Sequence, residues 1–170
     1  MALRRKRLPD DPLWYVSMDD GAIDHDARLA KQRAALESDE ARAAFDTLSA
    51  AARHLVVHER FLATEDRGWL CLREDVAPSE FSLMPLTPRQ RAEVRGEGEE
   101  SSTGRYLAAC YSLRTARHFL VPARDGGEHP LVIERVDGRL SERSQLLLGA
   151  DLMEELGWAA VRLSRLSDRF

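Results

Sequence analysis

The chain has 170 residues, of which 44% are hydrophobic, 32% charged and only 6% aromatic. That mix is too apolar for a disordered chain and long enough to bury a sizeable core. No uninterrupted apolar run approaches the roughly 20 residues that a bilayer-crossing helix needs, so the sequence predicts no membrane span.

Charge is unevenly placed. Twenty-five basic and 29 acidic residues leave a net charge of −4, which argues against non-specific coating of nucleic acid. The start of the chain is nonetheless basic, with Arg4, Arg5, Lys6 and Arg7 in succession, and an acidic run (Asp10, Asp11, Asp19, Asp20, Asp24, Asp26) follows it. Nearly all the basic residues are arginine, and alanine is abundant too, a pairing associated with bacterial coding. The planar guanidinium fork pairs bidentately with carboxylates. Cys71 and Cys110 stand apart, in no metal-binding or redox spacing, and read as buried thiols of a cytoplasmic protein. The basic start has no apolar stretch behind it, as a secretory leader would require.

In chain order, residues 1–12 read as a basic, proline-containing flexible arm, and residues 13–170 as a single domain. Residues 13–18 form a strand candidate rich in aromatic and β-branched side chains. Residues 24–63 read as two helices. Asp24 or Asp26 caps the first and Ser38 recaps the second, because short polar side chains bond the free amides of a first turn. In the second, Phe45, Leu48, Ala52, Leu55 and Leu62 recur at helical spacing. Residues 69–73 read as a strand, as do 81–84. Thr87, Pro88 and Gln90 carry the start signals of a helix. Residues 96–104 contain no apolar side chain and mark an exposed connection where a subdomain boundary would fall.

Residues 105–119 read as one helix. Residues 131–136 are the strongest strand in the chain, and Asp137-Gly138 is a tight hairpin turn. A β-meander is expected over 119–145, then a helix from Gly149 stopped by Gly157. The expected fold is α+β: an N-terminal helical hairpin packed on a small antiparallel sheet, with further short helices.

Chemistry-bearing motifs are sparse. The phosphate-binding loop, the dinucleotide fingerprint and the hydrolase nucleophile elbow are all missing. Cys110 is followed by Arg114 and Arg117, but a phosphate-cradling cysteine loop wants its arginine where Ala116 stands. His54 and His58 lie one helical turn apart, the spacing of two metal ligands, with His25 as a third donor. The competing reading is a pair of structural histidines. Ser141, Ser144 and His129 contain the residue types of a hydrolase, with no base placed beside a nucleophile.

Arg105, Arg114 and Arg117 form the main basic cluster outside the arm. With Arg4, Arg5, Lys6 and Arg7 they are the candidates for binding a partner or nucleic acid. The alternative is pairing with acidic segments of the same chain. No catalytic residue and no cofactor is assigned. The expectation is a small accessory or adaptor protein that works by binding another protein through complementary charge. Behind it stand a nucleic-acid-binding regulator and a metal protein or enzyme using His54 and His58.

Overall fold

The computed structural model describes residues 11–167, so the basic tetrad Arg4, Arg5, Lys6, Arg7 lies outside the described residues. The fold is α+β. The chain divides into two compact units: Met18–Pro78, and the residues up to Ser17 together with those from Ser79 onward.

The Met18–Pro78 unit is built from helices. Strand β1 (Leu13–Val16) precedes it, and α1 (His25–Ala34), α2 (Asp39–Thr47) and α3 (Ala50–Thr64) lie within it. Asp24 and Ser38 are the caps the sequence predicts, each accepting from the amide three residues on. The expected second helix is in fact two. Ser49 recaps α3 while Leu48 takes an extended conformation, so a third short polar side chain does what Ser38 does. Ala22, Ile23, Phe45, Val57, Phe61, Leu62, Trp69 and Leu70 are the buried apolar residues of this unit.

Residues 69–73 do not form a strand. Arg67–Leu70 is a 3₁₀ turn capped by Asp66, and Cys71 adopts a left-handed φ of 48°. Only Leu72 makes a bridge, to Ile23, flanked by Asp24 N–H to Cys71 O at 3.0 Å and Arg73 N–H to Ala22 O at 2.7 Å. The β-rich composition reflects burial of Trp69 and Leu70 rather than a ladder, since apolar runs this short do not separate strand from buried turn.

In the other unit, β1, β2 (Glu80–Leu83) and a strand over Leu113–Arg117 (β3) make an antiparallel sheet in the order β1-β2-β3. Leu13 pairs with Leu83 and Tyr15 with Phe81, and all four are buried. Between Ser82 and Leu83 the register to β3 slips, so Ser82 faces Thr115 while Leu83 faces Leu113. Arg114 is thereby left without a partner across the ladder, the signature of a bulge.

Between β2 and β3 run α4 (Pro88–Glu97) and α5 (Ser102–Ser112). The capping box at Thr87 and Gln90 forms as its sequence predicts. Of the segment 96–104, residues 96 and 97 close α4, Ser101 caps α5 and residues 102–104 open it. Residues 105–119 are not one helix: α5 ends at Ser112 and β3 takes over.

Two small ladders follow, β4 (Leu120–Pro122) with β5 (Glu128–Pro130), and β6 (Arg135–Val136) with β7 (Arg139–Leu140). The expected meander is thus two separate hairpins. Of residues 131–136 only the last two are paired in a ladder, although burial still alternates along the six. Asp137 (φ 52°) and Gly138 (φ 78°) make the predicted tight turn, whose two positive φ values suit this residue pair.

Helices α6 (Glu142–Leu148) and α7 (Ala150–Ser167) complete the unit. Gly157 does not stop α7. A Cβ there would sit 1.8 Å from Arg105 O, so α5 and α7 touch backbone to backbone at this point. Ala108 and Ala109 of α5 and Ala159 and Ala160 of α7 are fully buried. Glu155 of α7 accepts from Tyr15 Oη at 2.6 Å and Ser17 Oγ at 2.9 Å, tying the helix to β1 and the residue after it. Near its other end, Ser164 Oγ accepts from Leu86 N–H at 2.9 Å.

Candidate functional site

The histidines separate in space. His58 is fully buried, and its Nδ1 is in a short contact with Nη2 of Arg28, itself fully buried. Arginine only donates, so this Nδ1 accepts and His58 is the neutral Nε2–H tautomer. Arg28 Nε also donates to Trp69 O at 3.1 Å. A guanidinium so close makes His58 a poor ligand for a cation. His54 instead meets His25 edge to face, with ring centroids 5.1 Å apart. Both Nδ1 atoms are shielded from solvent and make no hydrogen bond. Burial first, then His25 and Arg28, hold the His54 pKa below its ordinary value, against a smaller opposite pull from Asp19 and Asp26. Among the described residues no three His, Cys, Asp or Glu side chains are grouped to hold a metal ion.

The arginines of the 105–124 cluster do not converge. Arg105 Nη2 donates to Glu100 Oε2 at 3.0 Å. Arg117 lies 3.9 Å from Glu80 and stacks on Trp14, with its guanidinium carbon 3.3 Å from the ring centroid. Arg114, at the bulge, donates to Tyr111 O at 2.9 Å, and burial lowers its pKa. Each of these three arginines is thus engaged by its own chain. Arg105 goes to the acidic segment around residues 97–100, Arg117 to Glu80 outside the acidic segments at 8–26 and 97–100, and Arg114 to a helix-end carbonyl.

A second group of arginines, which sequence reasoning missed, gathers where α5 ends. Arg135 donates to the carbonyls of Cys110 (3.2 Å), Tyr111 (3.2 Å), Leu113 and Gly138. Carbonyls at the end of a helix lack intrahelical donors, so Arg135 closes α5 and staples the β6–β7 turn to it. Burial, and secondarily Arg114, lowers the Arg135 pKa. Arg139 donates to Tyr111 Oη at 2.7 Å and lies over its ring, and Tyr111 Oη donates in turn to Glu93. Burial and then Glu93 push the Tyr111 hydroxyl up, and burial does the same to the Cys110 thiol. Neither is poised as a nucleophile. Apart from Arg135 with Gly138, the contacts join residues 18 to 28 apart in sequence, with no spacing to announce them.

The serine and histidine types of a hydrolase serve the backbone. Ser141 caps α6, Ser144 Oγ accepts from Glu134 N–H at 2.9 Å, and His129 Nδ1 faces Val121 O at 3.4 Å. His129 and Ser144 border a shallow hollow of about 70 Å³ lined also by Val121, Leu131, Val132, Glu134, Arg143 and Leu147. In the same stretch of chain Leu120 is 53% exposed, Val132, which lines the hollow, 77%, Val136 61% and Leu146 82%. These are the four most exposed large apolar side chains among the described residues.

Compared with models of protein families, with curated proteins and with solved structures, the chain finds no match. No helix among the described residues is long and apolar enough to cross a membrane.

Proposed function

We propose that the protein is a non-catalytic accessory protein that binds another protein, and that its contact surface is the region of β4, β5, residues 131–136 and α6. One observation carries this reading: Leu120, Val132, Val136 and Leu146 are the most exposed large apolar side chains of the described chain and all fall within residues 120–146. Single exposed apolar residues are ordinary, but a concentration beside a hollow marks an interaction surface. Glu134 and Arg143 on its border, 4.0 Å apart, supply the polar rim usual at such contacts.

Docking here runs through side chains rather than strand addition. Leu131 N–H bonds Phe119 O and Ala123 N–H bonds Gly127 O. The odd-numbered residues of the β4–β5 ladder therefore face inward, and Pro122 and Pro130 sit at outward positions, where their missing N–H groups blunt both edges.

The nucleic-acid reading ranks second because Arg105, Arg114 and Arg117 already have partners in the chain. The test is capture of partners from source cells by the wild type, Val132→Asp, Leu146→Glu and a control, Arg105→Ala, each checked for native circular dichroism. A specific partner lost with Val132→Asp and Leu146→Glu but kept with Arg105→Ala is the expected result. A partner retained by both patch variants refutes the surface. Duplex DNA or RNA retention at low salt, lost on removing Arg4 to Arg7, favours the nucleic-acid regulator instead.

A further inference from the structure

We propose that the His25–His54 contact is an acid-sensitive latch between α1 and α3, closed while both imidazoles are neutral and released when the pair takes up a proton. The proposal is independent of the protein-binding surface and rests on the Met18–Pro78 unit alone.

The geometry sets the chemistry. The two rings meet edge to face at 5.1 Å, close enough for a charge on one to act on the other. A neutral imidazole needs one donor and one acceptor role, whereas a protonated one presents N–H at both nitrogens. At His25 and His54 the Nδ1 atoms are shielded from water and have no hydrogen-bond partner. In the Nε2–H tautomer the bare nitrogen is this Nδ1, so protonation turns it into a shielded donor with nothing to accept from it, which is costly.

The charges around His54 mostly oppose a further cation. From α1 come His25 and the buried Arg28, both of which disfavour a charged His54; from the preceding loop Asp19, and from α1 Asp26, favour one more weakly. One turn along α3, His58 Nδ1 is already occupied by Arg28 and does not accept from His54. The sign of the pH effect follows. A histidine whose folded pKa is depressed contributes stability that is fully present above its unfolded value, about 6.5, and that is lost as pH falls below it. The half-buried pair thus holds α1 on α3 at neutral pH and loosens it as the pH falls into the acid range.

Two measurements test this. Amide hydrogen exchange, corrected for intrinsic chemistry, is compared at pH 7.5 and 5.5 for the wild type, His54→Gln and the His25→Gln/His54→Gln pair. The expected result is a loss of protection in α1 and α3 of the wild type at pH 5.5, reduced in His54→Gln and abolished in the double variant. Should the glutamine variants fail to fold, proton NMR titration of the wild-type imidazoles decides alone, with His54 expected to titrate below the ordinary histidine range. Protection indifferent to pH in the wild type, an undiminished acid loss in the double variant, or a His54 midpoint at or above 6.5 would overturn the latch.

Discussion

Gly157 and Gly96 are the same residue type in two helices, yet opposite in role. Glycine in a helix interior costs roughly 0.5–1 kcal/mol relative to alanine. At Gly96 a Cβ meets nothing within 4 Å, so Gly96→Ala removes that cost and is expected to raise the urea midpoint slightly. At Gly157 a Cβ lands on the backbone oxygen of Arg105, which has no flexible end to swing aside. Gly157→Ala forces α5 and α7 apart and is expected to cost about 3 kcal/mol. Equal urea midpoints for the two variants would mean that the helices do not meet as described. Gly157 looks like a stop signal from the sequence because its neighbour across the helix interface lies 52 positions away.

At the scale of elements, starts were more legible than ends. Asp24, Ser38 and the Thr87/Gln90 box signal their helices because a cap acts within three residues of itself. The end of α5 carries no such signal. Leu113 leaves the helix to pair with Leu83, and Arg135 takes the released carbonyls. Replacing Arg135 by methionine keeps an unbranched apolar stem and removes its donors. The expected loss is about 2 kcal/mol, within the range for hydrogen bonds to a charged group, with exchange protection falling first at the last turn of α5 and at β6–β7. A uniform loss across the unit, or none, would show that the staple does not close this helix. Residues 131–134 were misread for a related reason. Their composition is that of a strand, but Glu134 N–H is spent on Ser144 and Glu134 O on Ser141, which leaves no row of amides for a ladder.

For the whole molecule, the decisive feature is that β1 pairs with β2 across the Met18–Pro78 unit. Closing a loop of that length adds only slowly to the entropic cost, but it makes the sheet dependent on a strand far away in sequence. Removing residues 1–17 deletes Leu13, Tyr15 and Val16 from the core together with the Tyr15 bond to Glu155. The unit from Ser79 onward is then expected to lose cooperative thermal unfolding. A truncated chain that keeps its sharp transition would place the stability of this unit elsewhere.

From the sequence alone came the α+β class, most helix starts, the Asp137-Gly138 turn and the exclusion of the common catalytic motifs, because each depends on composition or on residues a few positions apart. Only the folded chain decided which arginines are spent at home, which histidines meet and which apolar side chains stay outside. Those outcomes turn on contacts between residues tens of positions apart, such as Arg28 with His58 or Tyr15 with Glu155. A local pattern cannot carry them, since side chains compete for partners only once the backbone has brought distant elements together.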